Sequence, residues 1–287
     1  MHKAGFVNIV GNPNVGKSTL MNQLVGEKLS IATFKAQTTR HRIMGIVNTD
    51  DTQIVFSDTP GVLKPNYKMQ EMMLQFSESA LADADTLLYV TDVVEDPEKN
   101  MEFLEKVRTM TIPVIVLINK IDELATTDAP KKGAPNPTQR LGALVEKWSK
   151  LLPNAEILPI SAKNKFGIDM LMKRIRELLP ESPAYFDKDQ LTDKPAKFFV
   201  SEIIREKILR SFFDEVPHAV GVAVEEMEYV KKSDLERIYA TIYVEHDSQK
   251  GIIIGKKGSA LKRIGTEARN DLEQFLGSKV FLDLRVK

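Results

Sequence analysis

The feature that most constrains this chain is a glycine-rich octapeptide between an apolar run and a helix-like segment. Residues 11–18 read Gly-Asn-Pro-Asn-Val-Gly-Lys-Ser and match the pattern G-x-x-x-x-G-K-[ST]. They follow the β-branched run Phe6–Val10 and precede the helix-like segment Thr19–Val25. A strand, a glycine-rich turn and a helix in this order direct backbone N–H groups towards an anion at the helix N-terminus. The sequence therefore predicts an α/β fold whose first turn binds phosphate groups.

Short β-branched runs alternate with amphipathic segments as far as residue 179. The run Val114–Ile118 contains no polar residue, which is typical of a parallel strand covered by helices on both faces. We therefore predict a mostly parallel sheet with helices on both sides. The predicted strands are Phe6–Val10, Ile43–Val47, Thr52–Phe56, Thr86–Thr91, Val114–Ile118 and Ile157–Ile160.

A change of composition near residue 180 indicates a domain boundary. Pro180, Pro183 and Pro195 stand among charged residues without periodicity, which is the composition of a linker. The remaining segments follow the order α-β-β-α-α-β. We predict a first domain over residues 1–180, a linker over 181–196 and a second α/β domain over 197–287.

Composition excludes several classes of protein. The chain has no cysteine, so disulfide scaffolds, thiolate zinc sites and cysteine nucleophiles are excluded. No stretch approaches the roughly 18 consecutive apolar residues of a membrane span. The N-terminus shows neither the charged nor the apolar region of a secretion signal. We expect a globular protein in the cytoplasm.

The tetrapeptide Asp58-Thr59-Pro60-Gly61 directly follows a predicted strand. This position places the Asp58 carboxylate at a strand end, where it can hold Mg²⁺ through the water shell of the ion. The Gly61 N–H can reach the γ-phosphate of a nucleotide. In the octapeptide, Lys17 is suited to bridge the β and γ phosphates, and the Ser18 hydroxyl is suited to ligate Mg²⁺.

Two further turns predict which base the nucleotide carries. Asn119-Lys120-Ile121-Asp122 follows the run Val114–Ile118, and the Asp122 carboxylate can accept hydrogen bonds from N1–H and the 2-amino group of guanine. Adenine does not present this pair of donors, so the pattern favours GTP and argues against an ATPase. We expect Asn119 to brace neighbouring loops and the Lys120 stem to cover the base. Ser161-Ala162-Lys163 is expected to direct a backbone N–H towards guanine O6.

The predicted nucleotide-binding residues come from all four turns. They are Gly11, Asn12, Pro13, Asn14, Val15, Gly16, Lys17, Ser18, Thr19, Asp58, Thr59, Pro60, Gly61, Val62, Asn119, Lys120, Asp122, Ser161, Ala162 and Lys163.

With these motifs in order, the first domain resembles the translation-factor-related GTPases. The segment Gln37–Arg42 (QTTRHR) is similar to that of the Era family in particular, and the resemblance extends over nearly the whole chain. The resemblance implies that the protein hydrolyses GTP and that it binds GTP or GDP together with Mg²⁺. It also implies that Thr38 or Thr39 closes over Mg²⁺ and the γ-phosphate in a first switch, with Val62–Met72 as the second switch. Which threonine ligates the ion is left open.

Val62 stands where a signalling GTPase usually has the glutamine that orients the attacking water. The resemblance implies hydrolysis assisted by K⁺, with the Asn14 side-chain oxygen as a ligand. Bracing of the loop is the alternative role for Asn14. The predicted Mg²⁺ ligands are Ser18, Thr38, Thr39 and Asp58, and the predicted catalytic residues are Lys17, Asn14, Thr38, Thr39 and Gly61.

In the second domain, Ile252–Leu261 fits the I-G-x-x-G core of a KH domain, and the α-β-β-α-α-β order is that of the type II form. We expect the turn to clamp a single RNA strand beside a groove for about four bases. Residues 250–287 hold nine basic residues against four acidic ones, which favours such a ligand. A solvated helix face is the alternative role for the lysines. The predicted RNA contacts are Ile254, Gly255, Lys256, Lys257, Gly258, Lys262 and Arg263.

The resemblance to the Era family also implies a partner and a process. The partner is a single-stranded region near the 3′ end of the small-subunit ribosomal RNA, and the process is assembly of the 30S subunit. We further expect a monomer, with peripheral contact to the inner face of the cell membrane as an additional expectation. The alternative is a nucleotide-controlled regulatory switch whose KH-like domain docks on a protein or a membrane surface.

Overall fold

The computed structural model describes residues 2–33, 35, 38–62, 65, 68–124, 136–213, 216 and 219–287. Gln37 of the first predicted switch lies outside the described residues, as do Leu63, Lys64, Asn66 and Tyr67 of the second. Contacts divide the chain into two compact units, Met1–Asp193 and Lys194–Lys287.

The first unit is a twisted sheet with the strand order β2-β3-β1-β4-β5-β6. The edge strand β2 runs antiparallel to β3, and the other neighbouring pairs are parallel. The predicted mostly parallel α/β domain is therefore confirmed. Its elements are β1 (Lys3–Gly11), α1 (Lys17–Val25), β2 (Ile43–Asn48), β3 (Thr52–Asp58), α2 (Lys68–Ala82), β4 (Thr86–Asp92), α3 (Met101–Arg108), β5 (Val114–Asn119), α4 (Pro137–Leu151), β6 (Glu156–Pro159) and α5 (Ile168–Leu178).

Burial explains why these runs form strands. Every residue of β3, β4 and β5 is buried, as expected for parallel strands with helices on both faces. One core cluster packs Tyr89, Val116 and Trp148 together beside β4 and β5. Because the parallel strands point the same way, their carboxyl ends meet at one edge of the sheet, where ligands bind in folds of this kind.

Residues 181–193, within the segment expected to be a linker, lie against the first unit. The Ile46 N–H donates to the Leu191 carbonyl at 2.8 Å, and the Thr192 hydroxyl donates to the Met44 carbonyl at 2.6 Å. On the next strand, the buried Gln53 side chain accepts the N–H of Tyr185 at 2.7 Å. The bonds to Ile46 and Met44 extend the edge of the sheet at β2, and together with the Gln53 contact they make residues 181–193 part of the first unit.

The second unit follows the predicted order α-β-β-α-α-β, which confirms its expected fold. In its sheet β8 pairs antiparallel with β7 and parallel with β9. Its helices pack on one core that includes Ile208, Ile238, Ile253 and Ala268. Among the described residues, no helix combines the length and apolar character that a membrane span requires. The elements are α6 (Ala196–Ser211), β7 (Gly221–Val230), β8 (Leu235–Tyr243), α7 (Asp247–Ile254), α8 (Ser259–Leu276) and β9 (Lys279–Val286).

Candidate functional site

The glycine-rich turn after β1 holds Lys17 at the start of α1. Gly16 caps the helix with φ of 96°, and a Cβ there would clash with the Asn119 side-chain nitrogen. Only glycine accommodates both the backbone angle and this contact. The buried Lys17 ammonium donates to the carbonyls of Gly11 at 3.0 Å and Asn12 at 2.8 Å. The turn thus wraps around the lysine head group.

Burial lowers the pKa of Lys17 to about 8, although the nearby Asp58 and Glu95 carboxylates act in the opposite direction. The charged form of the lysine is therefore poorly solvated in this position. A polyanionic ligand beside it would stabilise the charged form and raise the pKa again. The electrostatics of the turn consequently match a phosphate group.

Asp58 at the end of β3 forms the centre of a cluster of oxygen atoms. The Ser18 hydroxyl donates to Asp58 Oδ2 at 2.8 Å and lies 2.8 Å from the Thr39 hydroxyl. Asp58 Oδ1 is buried and has no hydrogen-bond partner within the described part of the chain. Burial raises the pKa of Asp58, opposed by the charge of Lys17. A hard cation would stabilise the ionised carboxylate, so these oxygen donors fit Mg²⁺.

The structure distinguishes the two predicted threonines. Thr39 lies beside Ser18, and its hydroxyl is 3.5 Å from Asp58 Oδ2. The Thr38 hydroxyl instead donates to the Lys35 carbonyl at 2.7 Å and contacts the Thr33 hydroxyl at the same distance. Thr39 is thus the threonine that joins the oxygen cluster around Asp58.

The turn after β3 lies directly against the phosphate-binding turn. A Cβ on Gly61 would meet the Pro13 backbone at 2.7 Å, so glycine is needed for this close approach. The Val62 N–H donates to the Gly11 carbonyl at 3.0 Å, and the Thr59 hydroxyl donates to the Ile9 carbonyl at 2.7 Å. The Val62 side chain is buried in the core. Because this side chain is both apolar and buried, it cannot orient a water molecule.

The turns after β5 and β6 are joined through Asn119. Its side chain donates to the Val15 carbonyl and accepts the Ala162 N–H, each at 2.9 Å. The expected bracing contacts are thus present. Two of the three backbone N–H groups considered for guanine O6 are already engaged. The Ser161 N–H donates to the Phe166 carbonyl, and the Ala162 N–H donates to Asn119. The Lys163 N–H is the remaining candidate.

The predicted base-recognition residues are held by side-chain contacts. The Ser161 hydroxyl donates to Asp122 Oδ1 at 2.6 Å, which orients the half-buried carboxylate. Lys120 has a φ of 61° and its ammonium forms a 2.6 Å ion pair with Asp92. The ion pair restrains the lysine stem beside the turn, where the sequence predicts that the stem covers the base.

A cavity of about 350 Å³ lies between the phosphate-binding turn, the segment around Thr38 and Thr39, and the turns after β3 and β5. The exposed Asn14, at φ of 65°, borders it, and its side chain makes no hydrogen bond to any described residue. Asp122 and residues 161–163 are not among the lining residues. The lining comprises Pro13, Asn14, Gly16, Lys17, Ser18, Thr19, Ile31, Ala32, Thr33, Lys35, Thr38, Thr39, Thr59, Gly61, Lys120 and Glu123.

Three polar residues that the motifs did not predict lie beside the phosphate-binding turn: Asp92, Glu95 and Asn100. Asp92 ends β4, and its place at a strand end was the signal that could have found it. Glu95 accepts hydrogen bonds from Asn12 and, at 2.6 Å, from Thr91. Asn100 donates to the Asn12 side chain and to the Val62 carbonyl. Neither Glu95 nor Asn100 stands in a recognisable motif, so no sequence signal pointed to them.

In the second unit, the Gly-Lys-Lys-Gly turn joins α7 to α8 with three positive φ angles. They are 73° at Gly255, 52° at Lys257 and 77° at Gly258. Lys256, Lys257, Lys262 and Arg263 are exposed, and Ile254 is half-buried. The turn therefore presents two adjacent ammonium groups to solvent between two helices, an arrangement suited to the phosphates of a single strand.

Comparisons with known proteins cover both units. Residues 6–120 match the family described as 50S ribosome-binding GTPase, and residues 215–287 match the KH domain family. The chain is 44% identical over 288 residues to GTPase Era of Staphylococcus haemolyticus (strain JCSC1435), with 100% of this chain and 92% of that protein covered. It is 42% identical to GTPase Era of Staphylococcus epidermidis, with the same coverage.

Two solved structures match with a TM-score of 0.90 and 38% identity. One is Aquifex aeolicus Era, as a variant bound to GDP·AlF4⁻, matched over 99% of this chain and 93% of that one. The other is Era in complex with MgGDPNP and nucleotides 1506–1542 of 16S ribosomal RNA, matched over 100% and 94%. The resemblance stated from the motifs is thereby confirmed. Identity of this extent over both units makes the chain a member of the Era family of GTPases, which hydrolyse GTP.

Proposed function

We propose that this GTPase binds the 3′ end of the 16S ribosomal RNA through its KH domain and assists assembly of the 30S subunit. The observation that carries the proposal is the Gly255–Gly258 turn, whose two lysines are exposed between α7 and α8. The related Era structure that holds nucleotides 1506–1542 of this RNA supports the choice of ligand. The nucleotide state of the GTPase domain would control when RNA is held.

For hydrolysis, we assign the phosphate contacts to Lys17 and Gly61. The Lys17 ammonium would exchange its bonds to the carbonyls of Gly11 and Asn12 for the β and γ phosphates. The Gly61 N–H would donate to the γ-phosphate. These groups stabilise charge that develops on the phosphate during transfer.

Ser18, Thr39 and Asp58 would hold Mg²⁺, since their oxygen atoms already form one cluster. Ser18 and Thr39 would ligate directly and Asp58 through water. When bound, the ion neutralises charge on the β and γ phosphates. We assign Thr38 to shaping the switch segment because its hydroxyl is bonded to the Lys35 carbonyl.

We assign guanine recognition to Asp122, oriented by Ser161, with Lys120 over the base and the Lys163 N–H towards O6. Asn119 connects this end of the site to the phosphate-binding turn.

We also propose that Asn14 ligates a K⁺ ion that assists hydrolysis. Asn14 is exposed and lines the cavity, and its side chain makes no hydrogen bond to the described part of the loop, which favours a ligand role over bracing. Hydrolysis should therefore be faster in K⁺ than in Na⁺, and Asn14→Ala should remove the difference. Multiple-turnover rates in the two salts at equal ionic strength measure this effect. Equal wild-type rates would remove K⁺ from the mechanism, and a loss of GDP affinity in the variant would indicate bracing instead.

The RNA proposal is tested by replacing Lys256 and Lys257 with Asp together. Each lost phosphate contact lowers the salt slope of single-strand binding by about 0.7, so the double change should lower it by roughly 1.4. Binding of an oligoribonucleotide with the 16S 3′-end sequence is measured across a salt titration. The matched control is Lys231→Asp with Lys232→Asp, an exposed pair in the turn between β7 and β8.

The control pair should leave the slope near the wild-type value, because it changes the same charge elsewhere in the same domain. Unaltered RNA affinity in the Lys256 and Lys257 variant would favour the alternative, a regulatory switch that docks on protein or membrane. A variant that also loses GDP binding would be misfolded, and thermal unfolding identifies that case.

We further propose that the protein works as a monomer in the cytoplasm, with peripheral contact to the inner face of the membrane. Each unit has a buried core of its own, which supports a monomer. Sedimentation of the purified chain and fractionation of cells check the two statements.

A further inference from the structure

Asn12, the second residue of the phosphate-binding turn, connects two residues that the roles assigned above do not use. Its side chain is buried. The amide nitrogen donates to the Glu95 carboxylate, and the amide oxygen accepts from the Asn100 side chain. Asn12 therefore forms a bridge between the segment after β4 and the residue that precedes α3.

This bridge reaches the turn after β3 through Asn100. The Asn100 side-chain nitrogen also donates to the Val62 carbonyl at 3.0 Å. From the other side, the Val62 N–H donates to the Gly11 carbonyl at 3.0 Å. The Val62 backbone is thus bonded to the phosphate-binding turn directly through its N–H, and its carbonyl is connected to the turn through Asn100 and Asn12.

The far end of the bridge is anchored as well. Glu95 is partly buried, and its second carboxylate oxygen accepts the Thr91 hydroxyl at 2.6 Å at the end of β4. Asn12 also presents its backbone carbonyl to the Lys17 ammonium at 2.8 Å. One asparagine consequently links the position of Lys17 to the position of the Gly61–Val62 backbone.

We propose that Asn100, bonded to Asn12, which Glu95 anchors in turn, is a positioning residue for GTP hydrolysis. It fixes the Gly61–Val62 backbone relative to the phosphate-binding turn, so that the Gly61 N–H meets the γ-phosphate. The inference rests on the role proposed above for Gly61. Because the Val62 side chain is apolar and buried, the backbone is the only polar part of this residue that can be positioned. A shift of this backbone would move the Gly61 N–H relative to the γ-phosphate and should therefore lower the rate of GTP hydrolysis.

The test compares Asn100→Ala with the matched control Asn154→Ala, an exposed asparagine before β6 at the opposite edge of the sheet. A displacement near 1 Å costs up to about 100-fold in rate, and we expect about a tenfold lower single-turnover rate of GTP hydrolysis for Asn100→Ala. The GDP dissociation constant should stay within about twofold of the wild type. The control should match the wild type in both measurements.

A second pair of variants separates positioning from folding. Glu95→Ala removes the anchor and should lower the rate as Asn100→Ala does. Glu95→Gln keeps an acceptor for Asn12 and a polar group for Thr91, so it should lose less. If Glu95→Gln and Glu95→Ala are equally impaired, the bridge through Glu95 is not the cause.

An unchanged rate in Asn100→Ala overturns the inference, and so does a fall in GDP affinity by the same factor as the rate. Gly61→Ala distinguishes this failure from failure of the proposed role of Gly61. If only Asn100→Ala keeps the wild-type rate, the positioning role alone is wrong. If Gly61→Ala keeps it too, the proposed phosphate contact is wrong.

Discussion

Replacing Asp122 with Asn should change the nucleotide preference of the protein from GTP to XTP. The Asp122 carboxylate can accept from both N1–H and the 2-amino group of guanine, whereas asparagine offers one oxygen and a mismatched NH₂. Xanthine carries an oxygen where guanine has the amino group, so the NH₂ of asparagine then finds an acceptor. A site built to hydrogen-bond a ligand group rejects an analogue that lacks this group by about 10⁴-fold. We expect the ratio of GTP affinity to XTP affinity to change by about this factor. Displacement of a fluorescent GDP analogue by GTP and XTP measures it.

The substitution keeps the size of the side chain, and its oxygen can still accept from the Ser161 hydroxyl. A structural disturbance is therefore small. The matched control is Glu123→Gln, which removes the same charge from the neighbouring carboxylate that lines the cavity. The control should retain the preference for GTP. An Asp122→Asn protein that still prefers GTP over XTP by the wild-type ratio would show that the assigned base contact is wrong.

The second large effect concerns Lys17. Removal of one group that stabilises transition-state charge costs about 10²–10³-fold in rate, and Lys17→Met should lose GTP hydrolysis to this extent. Methionine fills a similar volume without charge. Single-turnover hydrolysis at saturating protein separates this loss from weaker binding.

Lys17 also predicts a pH dependence of GDP binding. Its pKa is about 8 in the nucleotide-free protein because the ammonium is buried. Phosphate binds the protonated form and raises the pKa, so binding is linked to proton uptake above pH 8. Affinity should be constant below pH 8 and should fall above it, by up to about tenfold per pH unit. Calorimetry between pH 7 and pH 9, in this linkage window, measures the slope.

Lys17→Met provides the control for this slope. The variant retains every titration of the nucleotide itself, and so the difference between the two profiles belongs to the lysine. A wild-type profile that is parallel to the profile of the variant would contradict the assignment. A fall that begins below pH 7 would point to another group.

The phosphate-binding turn and the KH turn could be predicted from sequence because their constraints are local. Gly16 and Gly258 adopt positive φ angles directly before a helix. Glycine meets this requirement most readily, so the pattern can be recognised from neighbouring residues in the sequence. The strands were equally predictable, since burial on both faces demands uninterrupted apolar runs such as β5.

The choice between Thr38 and Thr39 required the tertiary structure. The two residues are adjacent and chemically identical, so no pattern along the chain distinguishes them. Thr39 is selected by its distance to Ser18 and Asp58, which come from different elements of the sheet. Thr38 and Thr39 lie outside the helices and strands, so the directions of their side chains depend on the residues that pack around them.

The bridge through Asn12 and the attachment of residues 181–193 to β2 and β3 also depended on the tertiary structure. Asn12 and Asn100 are 88 positions apart, and Gln53 and Tyr185 are 132 apart. The proline-rich composition near residue 180 predicted a linker because it lacks periodicity, although backbone groups in such a segment can still pair with a sheet edge. Local backbone geometry and burial were enough to predict the helices, the strands and a turn suited to phosphate, because each depends on residues that are close together along the chain. Contacts between polar side chains that are far apart in the sequence depend on the sheet, because it brings the ends of its strands together.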